Sequence, residues 1–138
     1  MKHYIAIPVI LGLFLLGCGP SEPKMHPVTG AVTYRGEPLP LGIVMFVPKA
    51  GPPSKPSLID QHGRYQLEAV AGEHCVGVVA MPPRKGGRPD PSIEGGVDYT
   101  GVPKVESLIP IKYNRHDTSG ITVVVEPGKR NEINIYVE

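Results

Sequence analysis

Arg64-Tyr65-Gln66-Leu67-Glu68-Ala69-Val70, a break at Ala71-Gly72-Glu73, and then His74-Cys75-Val76-Gly77-Val78-Val79-Ala80-Met81 decide the fold. In the first run Tyr65 and Leu67 share a side. In the second His74, Val76, Val78 and Ala80 do. A period of two is the signature of a strand with one face buried and one face wet. A helix would repeat every three to four residues, and neither run does so. The glycine between them marks a turn. The two runs therefore predict successive strands of an all-β domain.

The same alternation extends outward on both sides. Val28 to Tyr34 alternates with Val28, Val32 and Tyr34 on one face, and Arg35-Gly36-Glu37-Pro38 supplies a turn. Leu41 to Pro48 follows with Val44 and Phe46 inward, until Gly51-Pro52-Pro53 breaks it. Leu58-Ile59 predicts a brief edge strand, closed by Asp60-Gln61-His62-Gly63. Near the C-terminus Ile121, Val123 and Val125 alternate, Pro127-Gly128-Lys129-Arg130 turns, and Ile133, Ile135 and Val137 form a last strand. Between Lys24 and Glu138 no stretch carries a helical stripe. About seven such strands require two sheets packed face to face. The inward set is mostly Val and Ile, whose branched side chains suit a pleated surface.

Composition agrees with short strands and many turns. The 138 residues include 17 Gly and 17 Pro, only two Phe and no Trp. The formal net charge is +1, and no basic run or RNA-binding motif is present. A near-neutral chain of this kind gives no electrostatic case for nucleic acid. Two Cys and five scattered His, without an H-x-x-x-H pair, supply no metal-ligand pattern, and no cofactor is expected.

The N-terminus points to export. Lys2 provides a positive charge, and Ile5 to Leu16 an apolar run too short to span a bilayer as a helix. It ends in Leu15-Leu16-Gly17-Cys18, which resembles a bacterial lipobox. That resemblance implies removal of residues 1–17, lipidation of Cys18, and attachment to a membrane. Gly19 in place of Asp favours the outer membrane under the sorting rule of that family. If Cys18 carries lipid, Cys75 has no partner for an intramolecular disulfide. Residues 18–26 then form the lipidated N-terminus and a polar tether, and residues 27–138 the domain.

Val28-Thr29-Gly30-Ala31-Val32-Thr33-Tyr34-Arg35-Gly36-Glu37-Pro38-Leu39, followed by Gly42-Ile43-Val44-Met45-Phe46-Val47-Pro48, resembles the opening of a carboxypeptidase regulatory-like, transthyretin-like domain. Asp60-x-x-Gly63-x-Tyr65-x-Leu67 and Gly72-Glu73-His74-Cys75-Val76-Gly77-Val78 fit the same pattern. Ile109-Pro110-x-Lys112-Tyr113 and Thr118-Ser119-Gly120-Ile121 resemble small bacterial lipoproteins built on it. The resemblance covers Pro27 to Glu138 and implies a Greek-key β-sandwich of about seven strands. Such domains act mostly as structural or adhesive modules. His74 stands where the family commonly has Tyr, and a core histidine bonded to backbone is expected there. The transthyretin fold also hosts a hydrolase whose C-terminal Tyr-Arg-Gly-Ser is absent here; Tyr34-Arg35-Gly36 echoes it in the wrong place.

Other chemistry is sparse. No G-x-S-x-G elbow is present. Asp60 and His62 fit a turn, with Asp60 bonding its own backbone and Gly63 at positive φ. Lys112-Tyr113 fits a tyrosine packed inward and bonded through its hydroxyl at a corner. Ile109 to Tyr113 resumes order, with Pro110 at an edge or at the first residues of a strand.

The anomaly is Pro82 to Ser107, an irregular Pro- and Gly-rich stretch of unusual length for a compact domain. Arg84, Lys85 and Arg88 form a basic cluster there, and Tyr99 adds an aromatic; these are the candidate partner-binding residues. Asp90, Glu94 and Asp98 offer oxygens but no calcium-loop spacing. The sequence predicts a non-catalytic, lipid-anchored module of the cell envelope, with an envelope protein or polymer as partner. The alternative is a binder of a small ligand or metal ion through residues 82–107, and a transthyretin-like hydrolase is the remote third.

Overall fold

The structure, a computed structural model, describes residues 21–138. The leader and Cys18 lie outside the described residues. The chain is all-β, with strands β1 (Met25–Tyr34), β2 (Glu37–Pro38), β3 (Gly42–Pro48), β4 (Ser57–Ile59), β5 (Arg64–Val70) and β6 (Gly72–Val79). A small pair follows, β7 (Arg88–Asp90) and β8 (Gly96–Asp98). After one 3-10 turn at Ile111–Asn114 come β9 (Thr122–Val125), β10 (Asn131–Glu132) and β11 (Ile135–Val137).

Two main sheets result. In the first, β1 is central: β5 pairs antiparallel along one side, Met25 opposite Val70 and Ala31 opposite Arg64, and β2 continues that side. Along the other side β10 and β11 both run parallel to β1. The second sheet is antiparallel throughout, in the order β4-β3-β6-β9. The inward faces meet as the alternation predicts. Val28 and Val32 of β1, Tyr65, Leu67 and Ala69 of β5, and Ile135 and Val137 of β11 are buried. So are Val44 and Phe46 of β3, and His74, Val76 and Val78 of β6. Phe46 is wholly buried, its ring 6.0 Å from Tyr65 and 5.8 Å from His74. Nδ1 of His74 lies 3.0 Å from the Gly72 carbonyl, while Nε2 is buried without a hydrogen-bond partner among the described residues.

Three departures from expectation have local causes. First, β1 starts at Met25, so Met25 and His26 pair with Val70 and Ala69 instead of belonging to the tether. His26 is buried, an inward position that a polar, Pro-flanked sequence conceals. Second, Ile109 to Tyr113 is not a strand. Pro110 has no N–H for a ladder but offers its carbonyl, which accepts from Tyr113 N at 3.1 Å and closes the 3-10 turn. Third, there are eleven strand segments among the described residues against the expected seven or so. The two-residue β2 and the β7–β8 hairpin are additional, and the last strand is broken into β10 and β11.

That break sits against Gly30. A Cβ at position 30 would stand 1.8 Å from the Ile133 carbonyl oxygen, so only glycine admits the close approach. The Tyr65 hydroxyl donates to the same oxygen at 2.6 Å, and the Asn134 side chain accepts from Ala31 N in place of a ladder bond. Burial raises the Tyr65 phenol above its ordinary range. Serines finish the sheet edges: Ser54 exchanges bonds with the Phe46 backbone, Ser57 Oγ donates to Gln66 O, and Ser119 Oγ donates to Val76 O. Occupied edge groups cannot template pairing with another chain.

Candidate functional site

The strands give the sandwich two poles. β1 begins at one and ends at the other; β6 runs the same way, from Gly72 beside the β1 start to Val79 beside the far end. The Pro82 to Ser107 excursion therefore leaves and rejoins at the pole opposite the N-terminal segment. Its base is closed by Leu108 N donating to Ala80 O at 2.8 Å.

The excursion is not structureless. β7 and β8 pair antiparallel, Arg88 opposite Asp98 and Asp90 opposite Gly96. Two aspartates shape its turns. Asp90 Oδ1 accepts from the Ser92 hydroxyl and from Ser92 N at 2.9 Å, and Asp98 Oδ1 accepts likewise from Thr100, with N at 2.8 Å. The hydroxyl bonds first, and then the backbone bonds, lower both carboxyls below the usual carboxylate range. Arg84 braces the base of the hairpin. Its guanidinium lies 4.6 Å from the centroid of the Tyr99 ring and donates to the carbonyls of Tyr99 and Val102. Gly87 makes room for that ring, since a Cβ there would stand 2.6 Å from Tyr99 Cε1.

The four candidate contact residues therefore divide. Arg84 and Tyr99 are brought together and bound to each other, half-buried, as parts of the excursion's own structure. Lys85 and Arg88 are exposed, and neither forms an ion pair among the described residues. Asp90 and Asp98 are committed to their turns, Glu94 is exposed at the hairpin tip, and among the described residues no three His, Cys, Asp or Glu side chains converge as a metal site. The basic cluster was legible in the sequence, but the Arg84 brace was not: its acceptors are carbonyls 15 and 18 residues away.

The remaining sequence candidates take structural places. Asp60 Oδ1 accepts from His62 N at 2.8 Å and Arg64 N at 2.9 Å, and Gly63 adopts φ 78°. The bond from Arg64 N, chiefly, lowers the Asp60 carboxyl below its ordinary value. Tyr113 is buried, its hydroxyl accepting from Glu138 N at 3.3 Å, with Lys112 Nζ 4.7 Å from its ring centroid. Arg35 and Gly36, both at positive φ, make the β1–β2 turn, and the Arg35 guanidinium covers the Tyr34 ring at 5.1 Å.

A second feature escaped sequence reasoning. An open groove of about 910 Å³ crosses the outer face of the first sheet at the β10–β11 break. Thr29, Gly30 and Ala31 floor it, and Arg64, Gln66, Glu132 and Asn134 stand along it. It exists because small β1 residues lie between longer side chains on the neighbouring strands. Alternation predicts which side chains face out, but not which ones become neighbours.

No protein-family model matches the chain, and no curated protein matches it. Among solved structures it is similar to a DUF3823 family protein from Parabacteroides merdae ATCC 43184, at a TM-score of 0.43 and 17% identity. The match covers 84% of this chain and 47% of that one, so the chain spans about half the length of its neighbour.

Proposed function

We propose that this protein is an exported lipoprotein, anchored through Cys18, whose non-catalytic transthyretin-like β-sandwich presents the 82–107 hairpin to a partner in the cell envelope. The observation that carries the reading is the polarity of the fold. The N-terminal segment enters at one pole, and the hairpin stands at the other. β1 is ten residues long, which separates the poles by about 30 Å. Seven residues from Cys18 to Met25 reach at most about 24 Å. An anchor at Cys18 would thus hold the near pole close to the bilayer and direct Lys85, Arg88 and the hairpin tip away from it. Two or more acyl chains give stable attachment, at about 0.8 kcal/mol per buried methylene.

Two variants test this. Cys18→Ser should leave the protein unprocessed or released from the membrane fraction. Deleting residues 86–96 from the anchored protein should abolish co-purification of an envelope partner while the melting transition persists. Mass spectrometry showing an unmodified mature N-terminus would sink the anchor; undiminished capture by the deletion variant would sink the hairpin.

A second reading, binding of a small ligand, is favoured by the groove at the β10–β11 break and not by the excursion. Its volume lies in the range of ligand sites, and its Arg, Gln, Glu and Asn side chains suit a polar, uncharged molecule. Protection of Arg64 from guanidine-directed modification by envelope extract would support it, and unchanged labelling would count against it.

A further inference from the structure

The groove at the β10–β11 break lies on the outer face of the first sheet, and its polar side chains stand in two opposed rows. Between them Thr29, Ala31 and Thr33 of β1 face outward, a floor of small residues about 13 Å long. Gln66 and Arg64 of β5 stand on one side, opposite Thr29 and Ala31. Glu132 of β10 and Asn134 stand on the other. β1 separates the rows, which sets the two walls about 10 Å apart. The side chains of Arg64, Gln66 and Glu132 make no hydrogen bond or ion pair among the described residues. Asn134 gives its Oδ1 to Ala31 N and keeps its NH2 group. Two residues further on, Tyr136 alternates with the buried Ile135 and Val137. It is 70% exposed on the same face, beside Thr33.

We infer that this face is a platform for a neutral glycan, an inference that rests on the groove being a ligand site. The walls decide the chemistry. Arg64 can only donate, Glu132 can only accept, Gln66 does both, and Asn134 has its NH2 left to donate. A hydroxyl both donates and accepts, so a polyol can bond to all four. The C–H face of a sugar ring is apolar, and Tyr136 offers it a broad amphipathic ring at little cost in conformational freedom. Other ligand classes fit less well. Asp60 and Glu132 set two carboxylates against the one guanidinium of the groove, which disfavours phosphate, sulfate or a uronic acid. An extended peptide binds a sheet by adding a strand to its edge. Here the floor strand is central: β5 and β10–β11 flank it, and Ala31 N is taken by Asn134, so the face offers a peptide no ladder. An apolar ligand would bury the polar walls unpaired. The groove is open and its bonds replace bonds to water, so affinity per sugar is low and a chain of several sugars is the fitting occupant.

Titration of the purified protein with maltohexaose, cellohexaose, mannohexaose and chitohexaose, followed by amide NMR shifts, tests the inference. At least one should move the Ala31, Thr33 and Asn134 signals, with a dissociation constant between about 0.1 and about 10 mM. Hexagalacturonate, a charged counterpart, should not. Tyr136→Ala should weaken binding about tenfold and Gln66→Ala about fivefold. Tyr136→Phe should keep most of it, and Lys85→Ala, on the hairpin, should leave it unchanged. Tyr136 and Gln66 are exposed, and circular dichroism should show each variant folded. No shift with any neutral sugar at about 20 mM would overturn the inference. So would binding unaffected by both Tyr136→Ala and Gln66→Ala, or binding of hexagalacturonate alone. Protection of Arg64 by envelope extract without any response to sugar would keep the groove as a ligand site and remove the glycan. Absence of both effects would remove the groove as well.

Discussion

Replacing Arg84 by Ala separates the order of the excursion from the order of the sandwich. The guanidinium makes two bonds to carbonyls, Tyr99 O at 3.2 Å and Val102 O, and covers the Tyr99 ring at 4.6 Å. A charged donor to a carbonyl contributes about 1.5–3 kcal/mol when sheltered. Both bonds come from the same nitrogen of a half-buried group, so the lower end applies to the pair together. The cation–π contact adds about 0.5–1 kcal/mol. Against these stands the buried Nε, which has no hydrogen-bond partner among the described residues. A net of about 2 kcal/mol remains, or about thirtyfold in the local opening equilibrium. Hydrogen exchange should report it at Val102, whose amide donates to Tyr99 O at 3.0 Å. The melting temperature should move little, because the hairpin joins the sandwich chiefly through its base at Ala80 and Leu108. Arg84→Lys keeps the charge but not the planar fork and should fall between the two. Unchanged exchange and protease sensitivity in Arg84→Ala would refute the brace. Loss of partner capture with an unchanged hairpin would instead make Arg84 a contact residue.

Phe46→Ala should destabilise the domain by about 3–5 kcal/mol, seen in chemical denaturation, because the ring is wholly buried between Tyr65 and His74. Tyr65→Phe should cost about 1–2 kcal/mol by leaving the Ile133 carbonyl without its hydroxyl donor, and a cost near zero would show that water replaces it. Gly30→Ala should cost more than Tyr65→Phe and disturb the β10–β11 break, because a new Cβ collides with backbone that cannot yield. The turns of the hairpin should weaken in acid. The Asp90 and Asp98 carboxyls are held below their ordinary value of about 3.9, so their contribution is full above that value and is lost as pH falls through the lower folded-state values. Amide chemical shifts of Ser92 and Thr100 should move there and not between pH 5 and 7.

Local rules carried much of the architecture. Alternation in 64–70 and 72–79 places Tyr65, Leu67, His74, Val76 and Val78 inside, since successive side chains of a strand point to opposite faces whatever the strand pairs with. Turn chemistry was equally local: Asp60 and Gly63 act within five residues of one another. The same locality explains why Lys85 and Arg88 could be proposed as free cations but Arg84 could not be recognised as a brace.

What the sequence determined by itself is therefore the strand character of the alternating runs, the facing of their side chains, the turns between them and the basic cluster of the excursion. Only the tertiary structure decided that the last strand runs parallel to β1 and breaks at Ile133–Asn134. It also decided that the hairpin stands opposite the N-terminal segment, and that Ile43, Leu58 and Val79 stand side by side in one cross-strand row. The physical reason is one of range. Which face a residue occupies follows from its own backbone, whereas which strand lies beside it depends on the burial of both sheets at once. Gly30 meets Ile133 across about a hundred residues, and no periodicity in either segment announces the other.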